Sequence, residues 1–285
     1  MCFVPACAEG NAADPQTIEK GRYLATAANC VGCHTEPKGV EYAGGRALKT
    51  PFGIFYSPNI TPHPTAGIGR WSDADFLRAL KHGISPRGWP YYPAFPYTSF
   101  SGISDADALA IKSFLFSLPP SDKSNRTHDL SFPYSIRLAL WPWRWLYFDP
   151  KPFAPPAGAT PEVGRGAYLV NVLGHCGECH TPRNRLGASD KNKFLAGTAV
   201  GPDGGKVPNI TPDQSTGLGS WSAKDVIRVL ESGLLPNFDA VGSSMGEVVR
   251  ATSKLEPSDR AAIAAYLATI PPIANPKAPA TQPGF

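Results

Sequence analysis

Apolar side chains recur at helical spacing in two matching stretches of the chain. Phe76, Leu77 and Leu80 follow Ser72-x-x-Asp75, and Val226, Ile227 and Leu230 follow Ser222-x-x-Asp225. Ser with Asp three residues on has capping-box spacing, Asp standing in for the usual Glu, so a helix is predicted to start at each Ser. Gly83 and Gly233 are the expected left-handed stops of these helices. Two later stretches, Ser104 to Ser117 and Glu256 to Thr269, carry Leu109, Ile111, Phe114, Leu115 and Ile263, Tyr266, Leu267. They are predicted helices ended by Pro119-Pro120 and Pro271-Pro272. Asp14 as N-cap and Pro15 at the first helical position predict the opening helix. Gly21 and Gly166 are small enough to let the last helix of each stretch cross the first one closely.

These correspondences are a duplication. Asn59-Ile-Thr-Pro62 and Trp71 return as Asn209-Ile-Thr-Pro212 and Trp221 at a constant offset of 150, and Gly21-Arg-Tyr23-Leu24 returns as Gly166-Ala-Tyr168-Leu169. The expected organisation is two helical units, 17–120 and 161–272, with a Pro/Trp-rich linker at 121–160 and a Pro/Ala-rich tail at 273–285. Of 285 residues, 31 are Pro and 28 are Gly, which joins short helices by long turn-rich loops. The net charge of +4 comes without any Lys/Arg run, which argues against a nucleic-acid partner. No window offers the roughly 18 consecutive apolar residues of a spanning helix.

The cysteines supply the chemistry. They occur at 2, 7, 30, 33, 176 and 179. Cys30-Val-Gly-Cys33-His34 and Cys176-Gly-Glu-Cys179-His180 both read C-x-x-C-H, the attachment motif of c-type haem. Two thiols one helical turn apart suit the two vinyl groups of one porphyrin, and the adjacent histidine suits the iron. A zinc site would need closer His or Cys pairs, and a thioredoxin-like pair would not need His after both motifs. Two covalently bound haem c groups are expected, with His34 and His180 as proximal ligands.

A sixth ligand is readable for one iron. Met245 lies between the capped helix and the last helix of the second unit, where a loop would deliver a thioether to the second iron. The repeat offset carried back from Met245 falls on Phe95. The first iron is therefore either open or takes another ligand, of which His63, in the Asn59–His63 loop, is the candidate. His82 reads as a helix-end residue, and His175 as packing beside the second motif. Trp71 and Trp221 are candidate donors to haem propionates, with core packing as the alternative. Arg22, Arg46, Arg183 and Arg185 could neutralise propionates or be solvated.

Trp141, Trp143 and Trp145 crowd the linker. One reading packs them between the two units. The other makes Trp141–Trp145 an exposed strip for a partner or for peripheral membrane contact. Ala6-Cys7-Ala8 resembles a signal-cleavage site without a basic leader, so residues 1–16 are expected to be an export-signal remnant or disordered.

Gly174-His-Cys-Gly-Glu-Cys-His-Thr-Pro-Arg183-Asn184, Ser57-Pro-Asn-Ile-Thr-Pro62 and Tyr92-Pro-Ala-Phe-Pro-Tyr97 resemble the cytochrome c subunits of membrane-bound alcohol, gluconate and fructose dehydrogenases. The resemblance covers about residues 17–272. It implies an all-α fold of two tandem class I cytochrome c-like haem domains with long loops. In that family the loop resembling Tyr92–Tyr97 commonly has Met where this chain has Phe95. Members usually have three haem domains and a C-terminal membrane anchor; with two motifs read here, the expectation is a periplasmic dihaem carrier, soluble or peripheral to the membrane. It would take electrons from a periplasmic dehydrogenase and pass them to a cytochrome or terminal oxidase. The alternative is a dihaem oxidoreductase, a peroxidase or an enzyme of sulfur-compound oxidation, with the Met-less first haem as reactive centre.

Overall fold

The computed structural model describes residues 14–279; Cys2, Cys7 and positions 1–13 of the export-signal remnant expected at 1–16 lie outside the described residues, as do 280–285. The first half contains α1 (Pro15–Ala27), α2 (Cys30–Cys33), α3 (Asp73–His82), α4 (Tyr97–Phe100) and α5 (Asp105–Ser117). It also contains β1 (Ala47–Thr50) and β2 (Gly53–Tyr56). The segment that follows holds β3 (Asp129–Leu130) and α6 (Leu140–Tyr147). The second half contains α7 (Pro161–Tyr168), α8 (Gly177–His180), α9 (Ala223–Ser232), α10 (Ser243–Thr252) and α11 (Pro257–Thr269).

The local signals in the sequence set the helix ends. Asp14 accepts the Thr17 N–H at the start of α1, two residues before the boundary drawn at residue 17. Ser72 with Asp75 and Ser222 with Asp225 form complete capping boxes, and Gly83 and Gly233 stop their helices in the left-handed conformation. In each half the first and last helices pack face to face, α1 on α5 and α7 on α11. Glycine makes both crossings possible. A Cβ at Gly21 would sit 1.8 Å from the Ala110 carbonyl oxygen, and one at Gly166 would sit 1.9 Å from that of Ala262. Gly21→Ala or Gly166→Ala must therefore push two helices apart. Each is expected to lower holoprotein stability by about 3 kcal/mol, the upper part of the overpacking range, in denaturant unfolding. A loss under about 1 kcal/mol would mean that the helices slide freely, which close packing does not allow.

The all-α expectation needs correcting. β1, β2 and β3 form a small antiparallel sheet in the order β1-β2-β3 on an otherwise helical fold. The missed signal was long-range, because β2 finds its second partner at Asp129–Leu130, inside the segment read as linker.

That segment is also a strap. Buried Asn59 donates to the Ser121 and Lys123 carbonyls at 2.8 and 3.0 Å, and Thr61 Oγ1 accepts the Ser121 N–H. Asn209 and Thr211 hold Ile273 in the same way in the second half. The repeated Asn-Ile-Thr-Pro motif thus bolts the chain leaving each last helix back onto its own half. Buried amides and hydroxyls need such partners.

The reading that packs the tryptophans between the halves is overturned for two of the three. Trp145 is 85% exposed and Trp141 45%. The inner face of α6 is occupied by Leu140, by Arg144 against the Tyr97 and Phe148 rings, and by Trp143, whose indole donates to the Leu186 carbonyl at 2.8 Å. Trp141 and Trp145, one turn apart, are left on the outer face.

Candidate haem sites

Both Cys motifs are single helical turns preceded by a residue at positive φ, Asn29 at 49° and His175 at 37°. This placement explains His175: it forms the turn into the motif, and its ring packs edge-on against Phe100 of the other half, 5.4 Å away. The helix leading to the second motif ends in a π turn over Leu169–Leu173, whose aliphatic side chains are buried.

The motif histidines are held alike. His34 Nδ1–H donates to the Pro58 carbonyl and His180 Nδ1–H to the Pro208 carbonyl, each at 2.8 Å. This bond fixes the tautomer and leaves Nε2 with its lone pair, without a protein partner among the described residues. Burial pushes both imidazoles below their ordinary pKa, so they stay neutral, the form that ligates a metal. The four thiols are unpaired. Burial pushes Cys30 and Cys176 up to about 12 and Cys179 to about 11, and also raises Cys33. Thiols held protonated are the wrong form for disulfide exchange. No group of three or more His, Cys, Asp or Glu suited to a bare metal ion occurs among the described residues. The donor set fits haem c, and zinc and thioredoxin-like chemistry do not fit it.

Both motifs border the joint between the halves. Arg46 donates to the Gly32 carbonyl inside the first motif at 2.7 Å, and reaches both carboxylate oxygens of Glu247, on α10, at 2.6 and 2.5 Å. Arg183 donates to the carbonyl of Glu178, the matching residue of the second motif, and pairs with its carboxylate. Thr98 and Ser99 of the first half both donate to that carboxylate at 2.7 Å. Each motif is thus crowned by an Arg–Glu clamp drawing on both halves. Burial raises the Glu178 pKa, but Arg183 and the two hydroxyls outweigh it and hold the carboxylate below its ordinary value. The four candidate propionate arginines are accounted for differently: Arg46 and Arg183 serve the clamps, Arg22 pairs with Glu19, and Arg185 is exposed.

A second reciprocal pair repeats the symmetry. Tyr23 of α1 donates to Asp259 of α11, and Tyr168 of α7 donates to Asp107 of α5, both at 2.7 Å. Lys20 and Arg165 complete the two sets as cations on Asp107 and Asp259. The joint therefore has the self-complementary form of a two-fold dimer interface within one chain. Burial raises both aspartates, yet for Asp259 the bonds from Arg165 and Tyr23, and for Asp107 those from Lys20 and Tyr168, bring the pKa below its ordinary value. A depressed carboxylate contributes stability above its unfolded pKa of about 3.9, and that contribution is lost as pH falls through the folded value. The joint is expected to loosen below about pH 4. Tyr23→Phe with Tyr168→Phe should move the onset upward, read as hydrogen exchange along α1 and α7; an unchanged onset would count against the joint as the acid-sensitive element.

Met245 lies not on a loop but in the first turn of α10, partly buried. The backbone frame before it matches the first half: Tyr91 N–H bonds the Gly83 carbonyl and Val241 N–H bonds the Gly233 carbonyl. The offset of 150 holds in three dimensions as far as Tyr91 and Val241; beyond them the backbones part, Phe95 lying in the turn ahead of α4 and Met245 inside α10. His63 is occupied as a turn cap, its Nδ1 accepting the Ala66 N–H at 3.0 Å, as Asp213 accepts the Thr216 N–H at 2.7 Å. Trp71 and Trp221 are partly buried, and neither indole donates to protein among the described residues. Sequence reading missed Glu178 and Glu247, because Thr98, Ser99 and Arg46 lie 80, 79 and 201 positions from them; the local signal was the acidic residue inside the second motif with Arg183 five residues on.

A helical fold with paired C-x-x-C-H turns and backbone-oriented histidines defines a c-type cytochrome. The cytochrome c family profile matches residues 18–119. A "Diheme cytochrome c-type" protein of Cereibacter sphaeroides is 45% identical over 89% of this chain and 86% of its own length. The alcohol dehydrogenase (quinone) cytochrome c subunit of Komagataeibacter europaeus is 41% identical over 94% of this chain and 59% of that subunit. The gluconate 2-dehydrogenase cytochrome c subunit of Pantoea cypripedii is 38% identical over 90% and 60%. The chain spans about three-fifths of these two subunits. It belongs to the dihaem cytochromes c of this family and carries two covalently bound haem c groups.

Proposed function

We propose that this chain is two tandem class I cytochrome c-like domains acting as a periplasmic electron carrier. It takes single electrons from a dehydrogenase and hands them to a cytochrome or oxidase of the respiratory chain. The observation that carries this reading is the joint: Arg46 of the first half ties the Gly32 carbonyl of the first motif to Glu247 of the second half, and Thr98 and Ser99 of the first half bond Glu178 inside the second motif. The haems supply the one-electron chemistry. The residues of the chain do the rest. Cys30, Cys33, Cys176 and Cys179 fasten the groups, and His34 and His180, oriented by Pro58 and Pro208, bind the irons. Met245 is the sixth ligand of the second iron, while His63 is assigned to its turn. Trp71 and Trp221, with indole N–H groups to spare, would donate to propionates. Thioether ligation raises a haem potential, which makes the second half the electron-accepting end and orders flow from first half to second.

The outer face of α6 is proposed as a peripheral membrane contact. Residues 130–148 contain no carboxylate, and Trp141 and Trp145 project beside exposed Arg137 and Leu138. Trp and Arg with their apolar bodies outward suit a headgroup layer.

The test of the carrier reading is stopped-flow mixing of the oxidised holoprotein with a reduced quinone-type alcohol dehydrogenase. Both haems should be reduced, then reoxidised on adding a respiratory cytochrome oxidase. Failure of either half-reaction at physiological salt would overturn the carrier assignment.

A further inference from the structure

The first haem's distal side is built without a donor atom. Phe95 is the repeat counterpart of Met245, four residues past the frame that Tyr91 and Val241 share, and its ring packs against Tyr91 at 5.7 Å, Phe100 at 6.0 Å and Tyr97 at 6.3 Å between centroids. Benzyl has no lone pair to give an iron, whereas a thioether has.

The other candidate ligands of this half are engaged elsewhere or, like Lys38 and Lys49, exposed. His63 caps its own turn through Nδ1. His82 is exposed at the end of α3. His128 accepts the Tyr56 N–H and stacks on Phe55 and Tyr92. Lys20, Lys81, Lys112 and Lys123 are each paired with a carboxylate, those of Asp107, Asp105, Asp73 and Glu36. Tyr91 remains a phenol, since burial pushes it up to about 12.

We propose that Phe95 leaves the first haem with His34 as its one protein ligand, and that the uncharged aromatic face of Phe95, Tyr91 and Phe100 admits small neutral diatomic ligands, carbon monoxide or nitric oxide, at that iron. A neutral ligand needs no counter-charge against these rings. Burial holds the Tyr91 and Tyr97 phenols protonated at neutral pH, so these rings offer no base to take a proton from peroxide, and the site binds and releases its ligand without the proton chemistry of a peroxidase. The first half thereby becomes a ligand-responsive gate on the electron path. A ligand that favours ferrous iron raises that haem's potential and holds the electron there.

This inference rests on the two-haem reading, and haem content separates the two. The holoprotein should show two haems per chain by pyridine haemochrome and, after dithionite reduction, take up one carbon monoxide per chain. Phe95→Met should keep both haems but lower carbon monoxide affinity at least a hundredfold and remove the high-spin signal of the oxidised protein. Phe95→Leu, a smaller change that also lacks a donor, should bind as the parent does. His63→Ala should leave uptake and spectrum unchanged. A two-haem protein that takes up no carbon monoxide overturns the proposal while sparing the carrier reading. So does full uptake by Phe95→Met, or a site that opens only in His63→Ala.

Discussion

Replacing Met245 with Ala is expected to lower the potential of one haem on the order of 0.1–0.3 V, well within the roughly 0.8 V that axial ligands command. The weak methionine-to-iron absorption should vanish with it, and carbon monoxide uptake should rise from one to two per chain. The scaffold should survive the change. α10 is anchored from two sides, by Glu247 on Arg46 and by Thr252 on the Leu230 carbonyl, and Met245 shares neither bond. What is lost is then a ligand and not a fold. Spectroelectrochemistry of the variant reads both effects, and an unchanged pair of potentials would remove Met245 from the second iron.

Cys30→Ala with Cys33→Ala should produce a protein with half the haem absorbance per chain and a mass lower by one haem. The haem that remains should be the high-potential, methionine-ligated one, inert to carbon monoxide. The mirror variant, Cys176→Ala with Cys179→Ala, should leave the low-potential, ligand-binding haem alone. Two haems surviving in either variant would contradict the assignment of one group to each motif. Together the two variants also test direction. With the proposed order of flow, the protein lacking the first haem is slow to accept electrons from the dehydrogenase, and the one lacking the second is slow to pass them on.

Much of this could be read along the chain because it is local. Capping boxes at Ser72 and Ser222, left-handed glycines after α3 and α9, and the C-x-x-C-H turns each involve residues within a few positions, so residue type and spacing suffice. Gly21 and Gly166 were legible as contacts since only a residue without Cβ permits such a crossing. α10 was not legible. Gly242-Ser-Ser-Met245-Gly246 reads as loop by propensity, and the helix forms because it packs on α9, α1 and α2. The β-sheet escaped for a similar reason, since β3 is supplied by a segment that looked like a linker.

The sequence by itself determined the class of cofactor, the two C-x-x-C-H turns, the repeated helical pattern and the absence of methionine at position 95. Tertiary structure decided how the halves meet: Tyr23 with Asp259 across 236 positions, and Arg46 with Glu247 across 201. It also decided that Trp145 faces outward and that His63 caps a turn. Bonds between neighbours in the chain are written in spacing, whereas a charge or phenol finds a distant partner only after packing has excluded water and brought the two surfaces together.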